Sequence, residues 1–503
     1  MNQIKAGAFL SYVVLALNTL VGLLYTPYML RMLGRSEFGL YSLVASVIAY
    51  LTLLDLGFGN AIVRYTAKFR AENKVREQYE MFGMFIGLYS IIAVVAFAAG
   101  LVLWANVDSL FGSTMTATEL SRAKAMLLLM SFNLAVSFPF SAFGSIITAY
   151  ENFVFQKVVS IVRILLNTAV MILLLHWGYR ALAMVVVMTA FNMATLLLNG
   201  IYCKKYLKIR ILFRSFRWDF FREVAAYSFF IFLNAIMDRV YWSTGQFVLG
   251  AVSGTIAVAV FAVAIQLQQM YMNFSTGIVG VFLPRVTAMV TSHRSDKEIS
   301  DLFIRTGRIQ FCIMAFILSG FILFGKSFII FWAGKEYENA YLIALLFFVP
   351  LTVPLIQNLG ITILQARNQM QFRSVLYVII ALCSLGLQIP LARLFGGIGC
   401  ALGIAFGLML GQIVIMNIYY QRKQGLDIGA FWREIGKMSV IPILVSIIAY
   451  FVLSRVPLIS VTDLLLAILV FSLVYLPLFW RFSMNADERN LFLSFFLSRL
   501  KRN

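Results

Sequence analysis

The stretch FLNAIMDRVYWSTG, residues 232–245, places Asp238 and Arg239 side by side inside a long apolar run. At the centre of a membrane helix each charge costs roughly 2.5–3.5 kcal/mol, so both demand partners or water. Counted from residue 225, where the apolar run begins, Asp238 stands about 20 Å along a helix, near mid-membrane. Sequence neighbours project about 100° apart on a helix, so the two need not pair with each other. A guanidinium at that depth suits an anionic group such as a phosphate. The carboxylate beside it can orient the guanidinium through other groups or respond to a cation. The alternative is a structural role, with each charge buried against another helix.

Neutral polar residues recur around this pair at helical spacing. One stripe holds Ser11, Asn18, Gly22 and Tyr25; another holds Asn234, Asp238, Tyr241 and Gly245. Gln266, Gln269, Asn273 and Thr276 follow, then Asn358, Thr362 and Gln365. Lipid offers these groups no hydrogen bonds, so they must face protein or water. They either join helices or line a hydrated cavity, and a lining of this kind suits a ligand rich in hydroxyls, such as a sugar chain. Asp55, in LLDLGFGNA, stands towards the inner end of its run and serves either cation coupling or helix-end hydrogen bonding. Arg163 lies near the inner end of the run 158–177, where a long side chain reaches the interface. Arg64 and Arg285 close two inner helix ends, either as ordinary positive-inside residues or as a basic mouth that collects phosphates.

The elements that must hold these residues are membrane helices. Of 503 residues, 61% are hydrophobic and 12% charged, far too apolar for a soluble domain of this length. Runs of about 20 apolar residues recur about fourteen times, which defines an all-α polytopic membrane protein. The net charge is +20, with the basic residues set between apolar runs rather than in one tail. That distribution argues for anionic membrane lipids and an anionic substrate as partners, and against nucleic acid. Lys and Arg gather on one side of the runs, which places both termini in the cytoplasm. Four scattered cysteines and two histidines give no disulfide framework and no zinc site, so no metal and no resident cofactor are expected. The N-terminus reads as a retained first helix.

The two halves correspond at a shift near 217 residues. Asn18 and Gly34 match Asn234 and Gly250; GFGNAIVRYTAKF (57–69) runs beside GIVGVFLPRVTAM (277–289), bringing Arg64 within one residue of Arg285. TAYENFVFQ (148–156) lines up with LQARNQMQF (364–372). On this register Gly22 and Leu23 oppose Asp238 and Arg239. The chain then divides into a six-helix lobe (1–202), a basic interfacial linker (203–224), a second six-helix lobe (225–424), two further helices (425–482) and a basic amphipathic tail (483–503). Parallel repeats of this kind imply a substrate path between them. The linker, rich in Phe and Trp, is expected to lie as a helix on the inner interface. In the tail, Asn485 is placed to cap a helix through Glu488. Gly399, Gly403, Gly407 and Gly411 mark close helix packing.

LLDLGFGNAIVRYTAKF (53–69), FLNAIMDRVYWSTGQFVLG (232–250) and VFLPRVTAM (281–289) resemble the polysaccharide-biosynthesis branch of the multidrug/oligosaccharidyl-lipid/polysaccharide (MOP) exporter superfamily, which contains the Wzx-type O-antigen flippases. The resemblance implies a MATE-like fold of two six-helix lobes plus two C-terminal helices. It implies a flippase without covalent chemistry, carrying a lipid-linked oligosaccharide to the outer leaflet of the bacterial inner membrane by alternating access. The usual carrier is undecaprenyl pyrophosphate, and Arg239 best matches the cavity cation that meets it. Proton or sodium coupling, with Asp55 and Asp238 as candidates, and a polymerase with chain-length machinery as partners belong to the same expectation. Drug export, lipid II flipping and, more remotely, membrane glycosyl transfer are the alternatives.

Overall fold

The computed structural model describes residues 3–213, 218–279, 295–367, 369–456 and 458–490, with isolated positions between 286 and 292. Among the described residues every regular element is helical. The elements are α1 (Gln3–Leu51), a 3-10 turn (Thr52–Asp55), α2 (Phe58–Ala71), α3 (Val75–Ala105), α4 (Val107–Phe111), α5 (Ala117–Ala149), α6 (Phe153–His176) and α7 (Ala181–Lys205). They continue with α8 (Trp218–Trp242), α9 (Thr244–Val279), α10 (Asp296–Trp332), α11 (Ala340–Ile356), α12 (Leu359–Ala366) and α13 (Met370–Gly407). A π-helical turn (Leu408–Ile415), α14 (Met416–Lys423), α15 (Ile428–Leu453) and α16 (Val461–Phe482) complete the chain.

Length shows that some helical stretches cross twice. Ten described stretches are long and apolar enough to span, and Phe9–Ala71 alone holds 63 residues. That is about 95 Å of helix against a hydrocarbon core of about 30 Å. Gly34, at φ 74°, divides it. Gly254 (φ 78°) divides the 42-residue stretch Ala235–Thr276, and Gly396 (φ 57°) the 54-residue stretch Met370–Lys423. A side chain at such a φ collides with its own backbone, so glycine occupies all three breaks. With these divisions, and α11 and α12 as one span bent by 45°, the count is compatible with the fourteen expected. Exposed Phe9, Leu24, Ile91 and Val94 have the character of lipid-facing side chains.

The chain forms two compact units, Met1–Ala262 with Leu385–Cys400, and Val263–Ser384 with Ala401–Asn503. In the first, α2, α3 and α5 close around aromatic rings. Phe58 meets Phe85 edge-on at 5.7 Å and Tyr89 stacks on Phe138 at 6.3 Å. Contacts of this kind add ~0.5–1.5 kcal/mol each beyond burial. Thr116 and Glu119 form a capping box that starts α5.

In the second unit, buried Arg308 on α10 joins three segments. Its Nε and Nη2 donate to Glu488 at 2.6 and 3.0 Å, and its Nη1 to Glu434 on α15 at 2.7 Å. Glu488 also takes part in the cap read from the sequence: its N–H donates to Asn485 Oδ1 at 2.9 Å, and the Asn485 N–H returns to Glu488 Oε2 at 2.9 Å. The tail beyond residue 490 lies outside the described residues. Close packing holds at two of the helix-packing glycines, since a Cβ on Gly411 would stand 2.3 Å from Ile380 Cδ1 and one on Gly407 2.9 Å from Ser384 Cβ.

The linker departs from expectation. Residues 207–213 are not helical, and Lys208 is left-handed at φ 51°. The backbone bonds to α3 instead: Leu212 N–H donates to Tyr79 O at 3.2 Å. Tertiary hydrogen bonding has replaced the interfacial helix that composition favours over this part of the linker.

Candidate functional site

Two polar cavities lie in the first unit, and they differ in sign. One measures about 360 Å³. It is walled by Asn18 of α1, Asn133 of α5, Arg163, Asn167 and Thr168 of α6, and Asn192 of α7. Arg163 and Asn167 are four residues apart and share one face of α6. α6 starts at Phe153, so Arg163 stands about 15 Å along the helix.

Hydrogen bonds fix part of this lining. Asn192 Nδ2 donates to Asn133 Oδ1 and to Ser137 Oγ, both at 2.7 Å. Asn167 Oδ1 is buried without a hydrogen-bond partner. Such an acceptor costs ~1–3 kcal/mol in desolvation. The described lining contains no Asp or Glu. Its chemistry is one fixed positive charge among amides, suited to an anionic or hydroxyl-rich ligand.

The other cavity measures about 390 Å³ and contains Asp55. The 3-10 turn ends in two consecutive left-handed residues, Leu56 at φ 52° and Gly57 at φ 73°, before α2 resumes. Leucine in that region carries roughly 1–2 kcal/mol of strain. Asp55 closes the 3-10 turn, and the 14 residues of α2 extend about 21 Å beyond the break. Its carboxylate accepts a hydrogen bond from the buried Tyr89 hydroxyl at 2.8 Å. Asn60, Ser141, Ser145, Thr148 and Gln156 line the remainder, with no basic side chain among the described lining residues. Gln156 is itself anchored, donating to Gly144 O at 2.6 Å and accepting from Thr148 Oγ1 at 3.0 Å.

The structure thus brings Asn18 and Arg163 together and separates them from Asp55. Asp238 is exposed and Arg239 half-buried on α8, and neither lines these two cavities. In the second unit Gln269 and Asn273 form an exposed pair, Gln269 Nε2 donating to Asn273 Oδ1 at 3.4 Å, with Gln266 half-buried. The other side of α9 is also polar but buried. There Tyr271 shares a 2.7 Å hydrogen bond with Thr352, and Gln310 donates to Ser275 Oγ at 3.0 Å. Helix joining occupies that buried face and leaves the amide stripe on the outside. Arg64 is exposed, 5.8 Å above the Tyr65 ring. Arg285 and the side chain of Asn234 lie outside the described residues.

The repeat register also changes. The kink of α1 is at Gly34 and that of α9 at Gly254, with nearly the same backbone angles. That sets the shift at 220 residues in this region and replaces Gly250 as the partner of Gly34. Asn18 and Asp238 each stand sixteen residues before their kink, so Asn18 and Thr19, not Gly22 and Leu23, oppose Asp238 and Arg239. Sequence reading missed Asn133, Asn167 and Asn192. The spacing of Arg163 and Asn167 was the available signal; the other two are single amides on separate helices.

The family model for polysaccharide biosynthesis protein matches residues 4–290. No curated protein sequence matches the chain. Among solved structures, the fold is similar to the lipid II flippase MurJ in its inward closed conformation, with a TM-score of 0.68 and 17% identity over 94% of this chain and 98% of that one. It is similar to an inward-facing multidrug resistance MATE family transporter of the MOP superfamily, with a TM-score of 0.62 and 14% identity over 82% and 99%. A MOP superfamily transporter from Pyrococcus furiosus gives a TM-score of 0.57 and 15% identity over 85% and 96%. Family and fold together point to a multi-pass membrane transporter rather than an enzyme. By the match over residues 4–290 the chain belongs to the polysaccharide biosynthesis protein family, on the fold shared with MOP superfamily transporters.

Proposed function

We propose that the protein is a flippase that carries an undecaprenyl-pyrophosphate-linked oligosaccharide from the cytoplasmic to the outer leaflet of a bacterial inner membrane, for surface polysaccharide such as O-antigen. The carrying observation is the cavity that joins Arg163 to Asn18, Asn133, Asn167 and Asn192 with no acid in its described lining. A guanidinium inside the bilayer offers charge-assisted hydrogen bonds to a phosphate or an acidic sugar. The surrounding amides supply both donors and acceptors for hydroxyls. Arg239, Asp238 and the Gln266, Gln269 and Asn273 stripe are further substrate contacts in this reading. Arg64 and Arg285 are its basic collectors at the inner surface. The six-helix division of the sequence, cytoplasmic termini, anionic lipid contacts and a polymerase with chain-length machinery belong to the same proposal.

The second reading keeps the fold and changes the cargo to lipid II, favoured by the similarity to MurJ. Drug export fits less well, since organic cations would be repelled by Arg163. Purified protein in liposomes with a defined lipid-linked oligosaccharide, scored for leaflet exchange, separates these readings. Exchange of the oligosaccharide lipid and none of lipid II is the expected result. Exchange of lipid II alone would establish the second reading, and no exchange of either lipid would remove both.

A further inference from the structure

We infer that the Arg163 cavity is a subsite for an acidic monosaccharide, a uronic acid in chemical class, carried as part of the cargo. Arg163 reads the carboxylate of that sugar rather than the pyrophosphate of the lipid. That the sugar belongs to a cargo rests on the flippase reading; the binding preference does not.

Arg163 stands in the membrane-spanning stretch Phe153–His176 and is the one charged residue in the described lining of its cavity. Arg122, Arg308 and Arg367 are each bound to a carboxylate. Arg163 forms no ion pair among the described residues, so its charge is left for a ligand. One guanidinium neutralises one negative charge, and any charge left over inside a bilayer is expensive. A pyrophosphate diester brings two negative charges and a sugar carboxylate one. The carboxylate also matches the guanidinium in shape, since both are planar and meet through two parallel hydrogen bonds.

The hydrogen-bonding direction of the amides favours the same ligand. Asn192 spends both N–H groups of Nδ2 on Asn133 Oδ1 and Ser137 Oγ, so its Oδ1 is what remains for a ligand. Asn167 Oδ1 is likewise without a donor. Two acceptors call for donors, which sugar hydroxyls supply and a pyrophosphate diester, all acceptors at neutral pH, does not. Asn133, whose Oδ1 is taken by Asn192, keeps its Nδ2 to donate to a hydroxyl oxygen. The backbone adds no phosphate cradle. Each described lining residue stands more than one turn past the first residue of its helix, so its N–H is committed to the helical ladder.

The apolar part of the lining completes a sugar site. Phe191, Ile164 and Val21 stand among the amides and offer carbon to the C–H faces of a pyranose ring. An apolar wall with a few placed polar groups is the usual build of a small-molecule site. At about 360 Å³ the cavity lies towards the low end of the roughly 300–1,000 Å³ of such sites. That suits a sugar unit rather than a whole oligosaccharide.

The test is thermal unfolding of the purified full chain at matched ionic strength, with three probes titrated separately. They are methyl β-D-glucuronide, methyl β-D-glucoside (the same ring without the carboxylate) and inorganic pyrophosphate. The expected result is a saturable rise in Tm with the glucuronide. The glucoside should bind at least about tenfold more weakly, for the loss of one charged hydrogen-bonding partner. Arg163→Gln should bring the glucuronide down to the level of the glucoside. Asn18→Leu is the second variant and should raise the half-saturating glucuronide concentration several-fold with Arg163 intact. Equal half-saturation by the two sugars, or a glucuronide response that Arg163→Gln leaves unchanged, overturns the inference. So does pyrophosphate that binds more tightly than the glucuronide and is lost in Arg163→Gln, which would return the site to the phosphate. If Arg163→Gln does not fold, an unchanged half-saturation in Asn18→Leu overturns the placement. A wild type silent to the glucuronide removes the subsite and leaves the flippase reading standing. Failed leaflet exchange beside a saturable glucuronide response removes the flippase and keeps the sugar site.

Discussion

The Arg163 and Asp55 cavities are nearly equal in volume, about 360 and 390 Å³, and share walls from α5 and α6, yet each holds a charge of opposite sign. Hydrogen-bonding demand alone would have paired the two charges, since an Arg–Asp contact stabilises both inside a membrane. Keeping them in separate cavities leaves each free to meet a mobile partner of opposite charge. The difference teaches that the unit holds its two charges at distinct places along the same two helices. Arg308 is the internal contrast, a buried cation bound by two glutamates. Its charge is already satisfied, and it holds the fold.

The largest expected effect breaks the anionic side. Arg163→Ala should lower leaflet exchange of the lipid-linked oligosaccharide by about 10- to 150-fold, the loss of one charged hydrogen-bonding partner worth ~1.5–3 kcal/mol. Arg163→Lys keeps the charge without the planar fork and should retain part of the activity. Exchange rates in liposomes at matched protein density decide it. Full exchange by the alanine variant would take Arg163 out of the cargo path.

How much of this was legible before the structure depends on what kind of signal each feature leaves. The apolar runs gave the helices, because spanning a bilayer leaves an unmistakable length of hydrocarbon side chains. The register of the repeat was misread by four residues because Gly250 and Gly254 are both glycine for different reasons. Gly250 is needed for space: a Cβ there would lie 2.6 Å from Leu43 Cδ1. Gly254 is needed for its positive φ. Composition does not distinguish the two demands. Asp55 was recognised as a candidate, but its setting depends on Leu56, a residue with no propensity for the backbone it adopts. The cavity amides are dispersed over four helices, so only tertiary packing assembles them.

The next effect sharpens the link between the cavities. Pro139→Ala restores a backbone donor inside α5 and should stiffen it. Leaflet exchange of the lipid-linked oligosaccharide should fall about tenfold, roughly 1.4 kcal/mol on the barrier. Tm should stay the same or rise, because alanine is the better helix former. Unchanged exchange would take Pro139 out of the transport motion.

A smaller effect separates function from stability within the Arg163 cavity. Asn167→Leu removes a buried oxygen that has no partner, so Tm should not fall. Exchange should nevertheless drop about fivefold, for ~1 kcal/mol of lost ligand hydrogen bonding. Asn192→Leu is its complement. It abolishes two 2.7 Å hydrogen bonds to Asn133 and Ser137 and should lower Tm. A pair of variants that changed Tm and exchange together, in the same proportion, would make the whole asparagine set structural.

The smallest effect concerns the mouth. Arg64 is exposed and contacts the Tyr65 ring at 5.8 Å, a distance at which cation–π attraction is weak. Arg64→Gln should change stability by no more than about 0.5 kcal/mol. If its charge gathers an anionic headgroup from the membrane surface, initial exchange should fall less than about threefold, and the deficit should shrink as salt screens the surface field. Exchange rates at low and high ionic strength give the readout. An Arg64 deficit that did not change with salt would assign that residue a direct contact and bring it into the same class as Arg163. A salt-sensitive deficit keeps the two apart, with long-range attraction at the surface and short-range contact in the cavity.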